Sequence, residues 1–317
     1  MQALARFVMR GPSQAILVAA GFGLLSVLPI FGFLGVVSGA AVGLVTLRHG
    51  AKQGFAIVAG ATLVVALFMF LLQGQAVVGW ILSLVMWLPV WVLALVLRNT
   101  VSWSKTLNAV VILGFIVLTL VYMLMGDPVQ FWQQALGSLM DMEAFQGGDV
   151  DMTAFKTQLP VVAEWLTAVL VAALSLGLIA SLALARWWQS VMFHPGGFRQ
   201  EFHGLSMRRE SSIAVLVLLL LSMFGPGVIQ SMASDLMMIV MVIYSIVGLG
   251  FVHHLVAVTG RSVNWLVALY VLMFIALPHI VAMLAAVGFA DSWTNFRARL
   301  PQSVKSDSRD KRDEDQN

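Results

Sequence analysis

No cysteine occurs among the 317 residues, which excludes disulfides, thiolate metal sites and cysteine nucleophiles. Charge is scarce as well. Asp, Glu, Lys and Arg make up 10% of the chain, where soluble globular chains carry about 25%. No such residue lies between Ala15 and Leu47, Phe55 and Leu97, Thr106 and Leu124, Trp165 and Ala185, Ser212 and Ser234, or Leu236 and Val252. Intramembrane charges mark ion and proton pathways, so these runs argue against a proton-coupled carrier, a pump or an intramembrane aspartyl protease. His279, beside Pro278, is the ionisable side chain expected deep in a span. A neutral imidazole bonded to a carbonyl freed by the proline is the plain expectation there.

What is present instead is apolar. Hydrophobic residues make up 60% of the chain and its mean hydropathy is +0.93. Most of such a chain must avoid water, and a lipid bilayer is the solvent that accommodates it. The pI of about 9.5 accompanies a net charge of only +3, and the basic residues sit in short loops between apolar runs. That arrangement orients a membrane protein; it does not bind nucleic acid.

Arg6 and Arg10 precede an apolar run, as in a signal peptide, but the run continues from Ala15 to Leu47. That exceeds an h-region, so the start is expected to be uncleaved. As one helix the run would be about 50 Å long, too long for a hydrocarbon core of about 30 Å. Pro29 with Gly32 is expected to divide it into two short spans. Further spans are expected at Phe55–Leu72, Ala76–Leu97, Thr106–Leu124, Val161–Leu184, Ser212–Gln230 and Leu236–Ala257, with a last run, Asn264–Ala290, broken by Pro278. The fold class is therefore all-α, a polytopic transmembrane helical bundle of about eight or nine membrane segments. Residues 1–300 form one membrane domain, with an acidic loop at 126–158 and a basic loop at 186–210. Residues 301–317 read as a disordered charged tail.

Every second loop is basic. Arg48 and Lys52 follow span two, Arg98 and Lys105 span four, Arg186, Arg199, Arg208 and Arg209 span six, and Arg261 span eight. Those loops are expected in the cytoplasm of a bacterial cell, with the N-terminus, making this an inner-membrane protein. The loop after span five carries Asp127, Asp141, Glu143, Asp149 and Asp151 against a single Lys156, and is expected outside. The last run breaks the alternation. One crossing there would place Arg297, Arg299, Lys305, Arg309, Lys311 and Arg312 outside. A cytoplasmic C-terminus requires either that this run fold back at Pro278 or that an early segment not cross.

Gly35, Gly39 and Gly43 form one stripe of small residues, and Ala173, Gly177, Ser181 and Ala185 another. Residues four apart share a helix face, and small ones admit a second backbone closely; packing within this chain is the default expectation. In the external loop, Trp132, Ala135, Leu136, Leu139 and Met140 share a helical face. They suggest a helix on the outer surface with Trp132 at headgroup depth, either an anchor or a lid over a pocket lined by Gln73, Gln75 and Trp80. In the basic loop, Trp187 and Trp188 fit an interfacial belt, and Pro195-Gly196 a tight turn before Gly197. Beyond it Phe198 and Phe202 lie one helical turn apart, with Arg199 and His203 on a neighbouring face. Arg186, Glu201 and these residues read as a partner-docking loop. His194, His203, His253 and His254 lack i, i+4 spacing, and Arg186 and Arg199 would repel a cation, so neither metal nor cofactor is expected.

The stretches Ala185-Arg-Trp-Trp-Gln, His194-Pro-Gly-Gly-Phe-Arg-Gln-Glu-Phe-His203 and Gly288-Phe-Ala-Asp291-Ser-Trp-Thr-Asn-Phe-Arg297 resemble signatures of the YybS-like membrane proteins, a bacterial family of unknown function. The resemblance covers most of residues 10–300. It implies kinship with the substrate-binding S components of energy-coupling-factor transporters and with MreD-like cell-shape proteins. A helical bundle with an S-component-like core and both termini in the cytoplasm would follow. The chain is long for an S component, and no ligand motif of that class falls on any position here.

Two functions follow as expectations. One is a small-molecule-binding membrane subunit of a transport system; with no Walker A motif in the chain, its energy would come from separate ATPase subunits. The other is a structural or scaffolding membrane protein that docks cytoplasmic partners on the Trp187–His203 loop. A lipid-modifying enzyme is the weakest reading, since no carboxylate or metal constellation lies near the interface. The transport reading predicts a closed outward pocket under the Trp132 helix, and the scaffold an exposed basic or apolar patch inside.

Overall fold

The computed structural model describes residues 2–140, 152–294 and 296–299, among which all regular structure is helical. Asp141, Glu143, Asp149, Asp151, Asn295, the side chain of Lys156 and the tail from residue 300 lie outside the described residues. In chain order the helices are α1 (Gln2–Val8), α2 (Pro12–Leu25), α3 (Leu34–His49), α4 (Ala51–Gln73), α5 (Val77–Leu82) and α6 (Leu88–Thr100). They continue as α7 (Trp103–Met125), α8 (Pro128–Met140), α9 (Met152–Phe193), α10 (Gly197–His203), α11 (Arg209–Phe224), α12 (Gly227–Val258), α13 (Asn264–Ile275), α14 (Leu277–Thr294) and α15 (Phe296–Arg299).

Five helical stretches are long and apolar enough to cross a membrane: Ala51–Gln73, Val77–Thr100, Trp103–Met125, Thr157–Phe193 and Gly227–Val258. Their outward faces carry large apolar side chains, with Leu67 and Leu71 of α4 60% and 74% exposed. Water would not tolerate such a surface; hydrocarbon would. The expected break at Pro29 is present: α2 and α3 are separated by a 3-10 turn at Pro29–Phe31. At 14 and 16 residues, α2 and α3 are shorter than a span of about 20 residues requires, as is the apolar α13.

Local chemistry sets the helix ends. Gly74 and Gly126 end α4 and α7 with positive φ, and the Ser102 hydroxyl accepts the Lys105 N–H at the start of α7. Pro89 lacks an N–H, and the backbone before it widens into a π turn at Ser83–Trp87, which joins α5 to α6. That turn delivers Trp87 into the core, fully buried, where its indole N–H donates to the Ser38 hydroxyl and Ser38 donates to the Ala19 carbonyl.

The centre of the bundle is α3, buried almost continuously from Ser38 to Leu47 against α2, α4, α6 and α9. Its glycine stripe is used within the chain. A Cβ on Gly39 would meet Ser181, and one on Gly43 would stand 3.0 Å from the Ala185 Cβ. The two small-residue stripes thus partly face each other, and α3 and α9 run parallel. Gly35 takes the terminal methyl of Met86 instead. Ala173 is exposed, and a Cβ on Gly177 would meet nothing within 4 Å, so the upper half of the second stripe serves no packing. Several other buried hydroxyls bond within their own helices, as Thr46 to Val42, Thr62 to Val58 and Ser175 to Val171. A dry core demands this of every polar group.

A second tight crossing fixes the end of the chain. Gly248 lies against Leu284 and Gly288, Gly288 against Tyr244 and Gly248, and further along Phe251 meets Phe296. The partners advance in the same sense, so α12 and α14 run parallel. Between them α13 doubles back, its Tyr270 hydroxyl 2.9 Å from His253 Nε2. Residues 264–294 therefore leave and return to the same face. The break falls at Ala276, the residue before Leu277-Pro278. His279 is exposed on α14.

Candidate functional site on the basic face

The alternation of helices brings the basic loops together. Arg48, Arg98, Arg186 and Gln189 line one pocket. Arg297 donates to the carbonyl of His203, which joins the end of the chain to the 186–210 loop.

The loop is built around Glu201. Arg186 forms a two-pronged ion pair with its carboxylate, and the Trp103 indole N–H donates to Oε2 at 3.0 Å. Burial works to raise the Glu201 pKa, but the bonds from Arg186 and Trp103, with the Arg186 charge, outweigh it and hold the group below the ordinary carboxylate range. The expected turn is present: Gly196 after Pro195 has φ +85, and α10 starts at Gly197. The Ser190 hydroxyl accepts the Phe198 N–H and donates to the His194 carbonyl, tying the turn to α9. Phe198 and Phe202 then stack at 6.1 Å.

These residues wall a cavity of about 640 Å3, open to the surface, between the loop and the end of α12. Trp187, Phe198, Phe202, Val256 and Leu266 supply apolar lining, while Arg199, Arg261, His203 and His253 supply the polar rim. Among the described residues no carboxylate lines it. His203 sits 6.3 Å from the His253 ring and 6.2 Å from the His254 ring. Burial, and then the charge of Arg199, push its pKa below the ordinary histidine value, so it is neutral at physiological pH. Beneath it Arg297 pairs with the buried Asp291 at 2.9 Å, which anchors α14 to the loop. Among the described residues no group of three or more His, Asp or Glu is placed to hold a metal ion.

One sequence expectation needs correction. Trp188 is not part of an interfacial belt: it is 1% exposed, inside the core, while Trp187 alone faces the cavity. Helical periodicity turns two adjacent residues about 100° apart, so a Trp pair cannot share one environment. Trp132, expected on the outer helix, is tied to a neighbouring helix. Its indole N–H donates to Thr167 of α9 at 2.8 Å, and α8 packs on α9. Asp127 caps that helix through the Val129 and Gln130 N–H groups. Gln73, Gln75 and Trp80 are exposed at the turn between α4 and α5. The Trp132 hydrogen bond leads to α9, and its ring meets that of Phe131.

One residue escaped the sequence reading. Asp235 lies between two of the charge-free runs, inside the long helix α12, and is 7% exposed. The Tyr122 hydroxyl of α7 donates to its Oδ2 at 2.9 Å. His279 is therefore not the sole ionisable group within a span. An acidic residue two turns inside an otherwise apolar helix was the available signal.

No family model, curated protein or solved structure matches the chain.

Proposed function

We propose that the chain is a multi-pass protein of the bacterial inner membrane, and that its basic face, turned to the cytoplasm, docks a partner segment that is acidic and partly apolar. The cavity between the Trp187–His203 loop and α12 carries this reading: aromatic walls, Arg199 and Arg261 at the rim, and, among the described residues, no carboxylate in the lining. Such a surface complements carboxylates carried on an apolar helix or turn. The basic loops mark the cytoplasmic side. The return of α14 to the basic face supports a cytoplasmic C-terminus, with residues 264–294 entering and leaving on one side.

Kinship with the YybS-like membrane proteins is part of the same reading. It rests on the sequence stretches that carry the resemblance, at Ala185–His203 and Gly288–Arg297. The transport-subunit reading needs a pocket beneath α8 that gathers Gln73, Gln75, Trp80 and Trp132, and their separate placements favour docking over it.

Photocrosslinking tests this in living cells. A benzophenone side chain at Phe198 should yield one protein adduct, lost when Arg199 and Arg261 are both changed to Glu and competed by an acidic amphipathic peptide. Adducts with lipid alone, or a protein adduct indifferent to the charge reversal, would overturn the docking proposal.

A further inference from the structure

Beside the docking cavity lies a second, more polar pocket that the function above does not use. It encloses about 350 Å3 and is lined by Leu47, Arg48, Leu97, Arg98, Val101, Arg186 and Gln189. Its three arginines come from three helices, α3, α6 and α9, far apart in sequence.

Their ordinary duties leave charge over. Arg186 is neutralised by Glu201 and braced by Gln189. Arg98 donates one N–H to the Leu47 carbonyl at the end of α3, a normal use of a cation at a helix C-terminus. The Arg48 guanidinium carbon lies 4.3 Å from the centre of the Phe193 ring, a cation–π contact that uses its face and no N–H group. Neither Arg48 nor Arg98 is in an ion pair among the described residues. Two exposed guanidinium forks thus line one pocket without a carboxylate partner among the described residues, and such forks suit a bidentate oxyanion.

The rim holds a second signal. Val101, a β-branched residue and the one non-glycine with positive φ among the described residues, lines the same pocket at φ +47 and is 76% exposed. A conformation that valine resists is retained where the chain crosses from α6 to α7.

We propose that this pocket binds the phosphate group of an anionic phospholipid in the leaflet next to the basic face. Paired arginine forks suit phosphate oxygens, and the pocket opens where the apolar helices end, at headgroup level. The inference rests on the membrane placement proposed above.

Native mass spectrometry of the full chain released from nanodiscs tests it. With equal phosphatidylglycerol and phosphatidylcholine, the wild-type chain should retain phosphatidylglycerol at least fivefold over phosphatidylcholine. Arg48→Gln should bring that ratio close to one, while Arg208→Gln, at an exposed arginine outside the pocket, should leave it unchanged. Arg48→Lys keeps the charge but loses the fork, and should fall between. Equal retention of the two lipids by the wild-type chain overturns the proposal whether or not any variant folds. So does a preference that survives Arg48→Gln. Stabilisation by millimolar inorganic phosphate without lipid preference would assign the site to a soluble phosphate and overturn the lipid source. A chain that fails to enter nanodiscs at all would refute the membrane placement instead.

Discussion

Gly248→Ala adds a single methyl where α12 crosses α14. That methyl would stand 1.9 Å from the Leu284 carbonyl oxygen, 2.8 Å from its carbon and 3.2 Å from the Gly288 nitrogen. All three atoms are backbone, so no side chain can swing away. Restoring a tolerable 3.0 Å contact requires the helices to part by about 1 Å. A radial gap of that size forfeits about a quarter to a half of the dispersion energy across the crossing, and overpacked cores lose roughly 1–3 kcal/mol. With backbone on both sides the upper end applies, about 3 kcal/mol, which is roughly a hundredfold in the folding equilibrium. Gly177→Ala is the matched control, since a Cβ there meets nothing within 4 Å. It should be neutral or stabilise by up to about 1 kcal/mol through helix propensity. Unfolding in mixed micelles, followed by the fluorescence of the ten tryptophans, compares the two variants. Equal stability for Gly248→Ala and Gly177→Ala would refute the close crossing of α12 and α14.

Glu201→Gln should destabilise the 186–210 loop by roughly 1–3 kcal/mol, since Arg186 and Trp103 lose a charged acceptor; protease nicking of the loop in detergent measures it. Because the folded Glu201 pKa is depressed, its contribution is present above the ordinary carboxylate pKa and lost as pH falls through the lower folded value. His203 also has a depressed folded pKa, so its contribution is complete above about pH 6.5 and declines on acidification. Loop protection should therefore fall from pH 7 to pH 5, and His203→Gln should flatten that decline. Tyr122→Phe leaves Asp235 without its donor and should cost about 1–3 kcal/mol in the same micelle assay. An unchanged midpoint would show that this bond is not formed.

The helical architecture was legible because hydrophobic run length and charge placement act locally. The break at Pro29, the turn at Pro195-Gly196 and the gathering of basic loops followed from proline geometry, glycine φ and the spacing of arginines. The pairing of the two small-residue stripes was half legible. Periodicity put Gly39, Gly43, Ser181 and Ala185 on faces, but could not show that Ala173 and Gly177 would be left unused. Depth was not legible at all. Trp187 and Trp188 read alike in sequence and differ in burial because adjacent helical residues point about 100° apart. Asp235 escaped because its partner, Tyr122, lies on another helix, 113 residues away. The same applies to Glu201, whose partners come from α7 and α9.

Side-specific labelling tests the whole account most directly, and the absence of cysteine makes the native chain its own background. Single cysteines at Lys52, Lys105, Arg261 and Phe296 should react with a membrane-impermeant maleimide only after the inner membrane is opened. Cysteines at Gln75 and Gln130 should react in intact spheroplasts. Labelling of Phe296→Cys alongside Gln75→Cys in intact spheroplasts, or recovery of the chain without detergent in the soluble fraction, would contradict the account.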